Sequence, residues 1–138
     1  MVDRPLFDAV LWDNDGVLVD SEPLYFEFTR DALASLGVEL TLRDYQEINL
    51  RQGKNVFSLA ADRGVSEEVI ERARKQRNRD FSRRIAQGVE LMEGVLETLR
   101  ELHGRVPMAV VTSALPENLR TMHRAHGLEG FFETVVAA

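Results

Sequence analysis

Leu11-Trp12-Asp13-Asn14-Asp15-Gly16-Val17-Leu18-Val19-Asp20-Ser21-Glu22-Pro23-Leu24 is the stretch on which the reading of this chain turns. Just before and into it, Phe7-Asp8-Ala9-Val10-Leu11-Trp12 is apolar but for one residue and predicts a buried strand. That strand runs directly into Asn14-Asp15-Gly16, turn chemistry in which a glycine permits a sharp exit. Two carboxylates, Asp13 and Asp15, therefore leave the end of one strand close together. Open parallel sheets bind ligands just beyond the carboxyl ends of their strands. Like charges about 4 Å apart repel by about 4 kcal/mol at a near-surface dielectric of ~20, and a bound cation offsets that cost. A plain acidic turn punctuated by Asp15-Gly16 is the simpler alternative. The residues also scan as a calcium loop of the EF-hand type through Asp13, Asp15, Gly16, Leu18 and Glu22. Leu11, however, stands where that loop's first Asp belongs, and a strand rather than a helix precedes it.

Two more runs read as buried strands: Val106-Pro107-Met108-Ala109-Val110-Val111, ending at Thr112-Ser113, and Glu133-Thr134-Val135-Val136-Ala137. Such β-branched runs between helical segments predict a parallel sheet with crossovers. Helices fill the remainder. Ser21 and Pro23 open one with Leu24, Phe28, Ala32 and Leu36 as its apolar stripe, and Gly37 stops it. Thr41 with Asp44 opens a second through Ile48; Val56, Leu59 and Ala60 mark a third, ended by Gly64. Ser66 caps a long fourth to about Ala86, with Val69, Ile70, Ala73, Phe81 and Ile85 facing inward. Val95, Leu96, Leu99 and Leu102 define a fifth, and Leu119, Met122 and Ala125 a sixth before Gly127. Residues 20–89 are thus purely helical between two flanks that read as one α/β sheet, the pattern of an insertion.

Composition narrows the function classes. A length of 138 residues predicts about one domain, large enough to fold without disulfide or metal. Cysteine is absent, which excludes a thiol nucleophile, a thiolate metal site and a redox switch. A net charge of −6 argues against nucleic-acid binding through bulk charge. Apolar runs such as Val106–Val111 are too short to span a bilayer, and Asp3, Asp8, Asp13, Asp15 and Asp20 are incompatible with a signal peptide. The expectation is a cytoplasmic protein that engages neither nucleic acid nor membrane. Arg72, Arg74, Lys75, Arg77, Arg79, Arg83 and Arg84 crowd one helix, but Glu67, Glu68, Glu71 and Asp80 intersperse opposite charge, so a solvated face is expected. His103, His123 and His126 lie near helix ends and read as surface or capping residues.

Residues 12–24 resemble the first motif of the haloacid dehalogenase-like hydrolase superfamily, and most closely its capped phosphatase and β-phosphoglucomutase-like branch. The apolar strand ending Val110-Val111-Thr112-Ser113 is similar to the second motif, and the helical insertion lies where this branch carries its cap. The resemblance covers essentially the whole chain. It implies an α/β fold: a Rossmann-like parallel sheet core, incomplete over these residues, over 1–18 and 90–138, with a helical cap over 19–89. Residues 7–12, 106–111 and 133–137 would lie side by side in that order. The resemblance further implies that Asp13 is the nucleophile, forming an aspartyl-phosphate, and that Asp15 is the acid and then the base. Mg²⁺ would be held by the Asp13 carboxylate and the Asp15 backbone carbonyl, with Thr112 and Ser113 on the phosphoryl oxygens. In Gln52-Gly53-Lys54-Asn55, Lys54 and Asn55 fall where caps of this branch place a substrate-facing loop; a solvated Lys opening a helix is the alternative. Dehalogenases of the superfamily lack an acid at the position of Asp15, so carbon–halogen hydrolysis is not expected.

Two departures bear on function. Tyr25 stands where mutases of this branch carry a His near the cap hinge, which favours hydrolysis over a phosphosugar mutase. The phosphate-binding Lys and acidic metal-binding pair of the family follow the third strand, and this sequence has no Lys beyond Lys75. The 138 residues alone are therefore expected to be inactive and to associate along an unpaired strand edge. The expected function is Mg²⁺-dependent hydrolysis of a small phosphomonoester, a sugar or polyol phosphate. A mutase on the same scaffold and an inactive binding module are the alternatives.

Overall fold

In the computed structural model, which describes residues 6–138, three short strands form one parallel sheet. Strand β1 is Val10–Trp12, β2 is Met108–Val111 and β3 is Thr134–Val136, in the order β1-β2-β3. Val10 lies opposite Met108, and Ala109 opposite Thr134. Because all three strands run the same way, β1 and β2 end at one edge, where Asp13 and Thr112 begin. The described residues also form six α-helices: α1 (Glu22–Ser35), α2 (Leu42–Tyr45), α3 (Ser58–Asp62), α4 (Glu67–Ala86), α5 (Val95–Leu102) and α6 (Pro116–His126). This is the α/β parallel sheet with helical insertion that the sequence predicts. Residues 1–5, which include Asp3, lie outside the described residues.

The strands are shorter than their apolar runs and are not buried throughout. Leu6–Asp8 is a bend before β1, only one face of β1 and β2 is covered among the described residues, and β3 is exposed at all three of its residues. Met108 and Val110 are buried, whereas Leu11 is 69% exposed, Val111 46% and Val136 56%. The cause is the two-residue period of a strand: Leu11, Ala109, Val111 and Val136 share one face, which is open among the described residues. Parallel sheets ordinarily have both faces covered, and the expectation of fully buried strands came from that habit.

By its internal packing the chain divides into two units. One runs through Glu22 and resumes over Ile85–Ala138; the other is Pro23–Arg84. In the second, Leu33, Val38, Leu40, Tyr45, Val56, Phe57, Ala60 and Ile70 form a core. The Thr41 hydroxyl accepts the Asp44 N–H at 3.1 Å and opens α2, as the spacing predicts. The chain then widens into a π-helical turn over Gln46–Arg51 instead of continuing as an α-helix to Ile48.

Three details of this unit depart from expectation. On α1 the buried line is Thr29 and Leu33, while Leu24, Phe28, Ala32 and Leu36 are half-buried. Val69 is exposed, and the inward position is its neighbour Ile70. The basic face of α4 is solvated and ion-paired at Arg72–Glu68, Arg74–Glu71 and Arg83–Asp80, but Arg77 is not part of it. The Arg77 guanidinium lies 4.8 Å from the centre of the Tyr25 ring and 5.2 Å from that of Phe57. Its Nη1 donates to the Thr29 hydroxyl at 3.3 Å, which accounts for a polar residue on the buried line of α1.

Within the first unit the chain leaves toward the helices and returns side by side. Asp20 N donates to the Glu90 carbonyl at 2.9 Å and Met92 N to the Leu18 carbonyl at 3.0 Å, flanking an antiparallel bridge between Val19 and Leu91. Val19 and Leu18 are fully buried there. Pro116 sits in the first turn of α6, and Gly127, at φ 65°, ends the helix.

Candidate active site

Asp13 is the first residue beyond β1 and is exposed; Asn14 is fully buried; Asp15 is half-buried. Alternation carried over from the strand thus presents the carboxylates and sinks the residue between them. The Asn14 N–H donates to Asp13 Oδ1 at 2.7 Å and so orients that carboxylate. The Asn14 carbonyl accepts the N–H groups of Val17, Leu18 and Val19 at 3.2, 2.8 and 3.2 Å, closing a tight turn. The Ser21 hydroxyl donates to Asp15 Oδ1 at 2.5 Å. Gly16 is required at this turn because its φ is +74°, a left-handed conformation that side chains rarely adopt; a Cβ there would meet only the carboxylate end of the flexible Glu22 side chain, at 2.7 Å, which can swing aside. The preceding strand rules out an EF-hand, which needs a helix on each side of its loop.

The second half of the site follows β2. The Thr112 N–H donates to the Val136 carbonyl at 2.9 Å, and its hydroxyl accepts the Ala114 N–H at 3.1 Å. Leu11, Trp12, Asp13, Val111, Thr112 and Ser113 line an open depression of about 450 Å³. The sheet therefore brings Asp13, Thr112 and Ser113 to one cavity. Lys54 and Asn55 belong to the second unit, where both are exposed. There the Asn55 side-chain carbonyl accepts the Phe57 N–H at 2.9 Å.

Sequence reasoning missed His123. Expected at the surface, it is 2% exposed, and its Nε2 lies 2.8 Å from Asn14 Oδ1. Burial holds its pKa below the ordinary 6.5, while Glu129 and Asp15 pull in the opposite direction. His126, one turn on, bonds through Nε2 to the Val89 carbonyl. Only the surrounding period could have signalled the burial of His123, since it follows the inward Met122 and lies four residues after the inward Leu119.

A family model described as haloacid dehalogenase-like hydrolase matches residues 10–138. The chain belongs to the haloacid dehalogenase-like hydrolase family. Among curated relatives, a phosphorylated carbohydrates phosphatase of Thermotoga maritima is 30% identical over 134 residues, covering 94% of this chain and 60% of the relative. Hexitol phosphatase B of Escherichia coli is 47% identical over 36 residues, 26% of this chain and 16% of that one. Among solved structures, CbbY of Rhodobacter sphaeroides in complex with xylulose-1,5-bisphosphate superposes with a TM-score of 0.71 at 20% identity. The match covers 96% of this chain and 64% of that one. A magnesium-bound haloacid dehalogenase-type hydrolase of Bacillus subtilis gives 0.65 at 19% identity, over 95% and 65% of the two chains. At these identities the structures show the shared fold. Against the full-span curated relative, this haloacid dehalogenase-like chain covers about three-fifths of the length.

Proposed function

We propose that this protein is a Mg²⁺-dependent phosphatase acting on a small phosphomonoester of the sugar or polyol phosphate class. The observation that carries the reading is the exposed Asp13 at the end of β1, in one depression with Thr112 and Ser113 from the end of β2. The carbohydrate phosphatase relative supports the substrate class.

In this reading Asp13, oriented through Oδ1 by the Asn14 N–H, attacks phosphorus with its other oxygen. The bond from phosphorus to the ester oxygen breaks, and Asp15 supplies a proton to the departing alkoxide. Asp15 then takes a proton from the water that attacks the aspartyl-phosphate, releasing phosphate and restoring the Asp13 carboxylate. The hydroxyls of Thr112 and Ser113 and the backbone N–H groups beside them receive the phosphoryl oxygens. The Asp13 carboxylate and the Asp15 carbonyl are hard oxygen donors of the kind Mg²⁺ takes. Among the described residues no cluster of three or more His, Asp or Glu side chains could hold a metal unaided. That donor set fits Mg²⁺, which keeps several waters and binds through one or two carboxylates together with phosphate oxygens. When bound, the ion offsets negative charge as phosphate approaches two carboxylates.

Pro23–Arg84 is read as a cap whose exposed Lys54 and Asn55 contribute to substrate choice. Hydrolysis is favoured over phosphosugar mutation because Tyr25 stands where a mutase of this branch would carry a His, and its ring packs edge-on against Phe81 at 5.1 Å with the Arg77 guanidinium 4.8 Å from its centre. Among the described residues no helix is long and apolar enough to cross a membrane.

Phosphate release from sugar and hexitol phosphates, with and without Mg²⁺, tests this reading. Where release is measurable, Asp13→Asn abolishes it, and radiolabelled phosphate no longer appears as a hydroxylamine-sensitive adduct on residue 13. An Asp13→Asn variant within about tenfold of wild type would sink the nucleophile assignment. An isomerised sugar phosphate in place of free phosphate would establish the mutase.

A further inference from the structure

We infer that His123 is a positioning residue: it clamps Asn14 and thereby sets the β1 turn that carries Asp13 and Asp15 against the β2 loop that carries Thr112 and Ser113. The inference rests on the reading of those four residues as the reacting site.

The Asn14 amide is completely buried, and among the described residues its Nδ2 has no hydrogen-bond partner and the His123 ring is the one side chain bonded to it. An amide oxygen only accepts, so at 2.8 Å from Oδ1 the His123 Nε2 carries the hydrogen. The ring is itself held in place, tilted against Phe132 with centroids 5.7 Å apart. A buried amide that loses its one partner bears its full desolvation cost and has reason to move.

Where Asn14 goes, the site goes. Its N–H orients the Asp13 carboxylate, its carbonyl closes the turn over Val17, Leu18 and Val19, and the turn in turn places Asp15. His123 also comes from the right helix. Helix α6 begins at Pro116, just beyond Ser113, so the residue that grips the first loop rides on the element that continues the second. One hydrogen bond across 109 residues of sequence thus registers the two halves of the depression. His126 adds a second anchor on the same helix at the Val89 carbonyl, beside the Glu90 carbonyl that receives the Asp20 N–H.

The test compares His123→Leu, which removes the donor, with His123→Gln, whose amide N–H₂ reaches a similar position. Amide exchange of the full chain at low micromolar concentration, read by mass spectrometry, follows the segment from Asp15 to Asp20. Trp12, the sole tryptophan and the neighbour of Asp13, reports Mg²⁺ titration by its fluorescence. The expected result is that His123→Leu speeds exchange in that segment by about tenfold or more, the equilibrium factor of one lost buried hydrogen bond. Mg²⁺ affinity falls with it, and His123→Gln stays within about threefold of wild type in both measurements. The inference is overturned if His123→Leu leaves that segment and the Mg²⁺ affinity unchanged. It is equally overturned if exchange rises evenly along the whole chain, or if His123→Gln behaves like His123→Leu. A wild-type chain whose Trp12 signal ignores Mg²⁺ defeats the metal reading of Asp13 and Asp15 instead, and the exchange pattern then decides the clamp alone.

Discussion

Asp15 and His123 are the two residues at which single substitutions separate chemistry from stability. If Asp15 protonates the leaving group, Asp15→Asn lowers turnover of alkyl phosphates by roughly 10²–10⁴-fold. It should matter less for p-nitrophenyl phosphate, whose leaving group needs little protonation. Equal losses on both esters under conditions where phosphorylation limits the rate count against Asp15 as the acid. His123 predicts a pH dependence of stability. Burial lowers its pKa in the folded protein, so below the ordinary value of 6.5 the unfolded chain binds a proton that the folded chain resists. The contribution is therefore complete above that value and declines as the pH falls beneath it. Urea midpoints measured from about pH 7.5 down to about pH 5 should fall, and His123→Gln, which has no titrating ring, should flatten that part of the decline.

At the scale of elements, the sheet carries the clearest liability. Leu11 on β1, Val111 on β2 and Val136 on β3 form an apolar strip on the open face, and β1 has no strand partner on its outer side among the described residues. Unpaired edges and uncovered apolar faces favour association. The 138-residue chain is expected to show a mass above that of a monomer in light scattering, increasing with concentration, and Leu11→Lys should shift it toward monomer. A wild-type chain that stays monomeric at high concentration contradicts this. Helix α4 illustrates the opposite case, a charged element with one sequestered charge. Arg77 lies over two rings with a Thr hydroxyl beneath it, so charge alone does not make a surface residue.

For the whole molecule, the division into two units is the feature with testable energetic content. Pro23–Arg84 has its own core, centred on Leu33, Phe57, Ala60 and Ile70, together with the aromatic stack around Arg77. Its length is near the lower limit at which a single core suffices, since a chain of about 60 residues buries only about 60% of its unfolded surface. The excised segment should therefore be helical by circular dichroism and melt cooperatively, with low stability. A featureless, non-cooperative melt would show that this unit depends on the rest of the chain. The same division makes substitutions at Lys54 a matter of substrate choice rather than of folding in the proposed function, because that side chain is exposed.

What the sequence determined by itself is what neighbouring residues settle among themselves. The apolar run before Asp13, the Asn14-Asp15-Gly16 turn, the Thr41 cap and the glycines that end helices are local choices of dihedral angle and hydrogen bond. Parallel strands were legible too, and with them the meeting of Asp13 and Thr112 at one edge, because both lie at carboxyl ends of β-branched runs. Only the tertiary structure decided where the polar exceptions go. His123 meets Asn14, and Arg77 meets Tyr25 and Phe57; the helical period can hint that His123 is buried, but nothing local in the sequence names these distant partners. The one-sided cover of the sheet was hidden for the same reason: an apolar strand reads alike whether one face or both are covered, and burial is decided by which elements the rest of the fold brings against it.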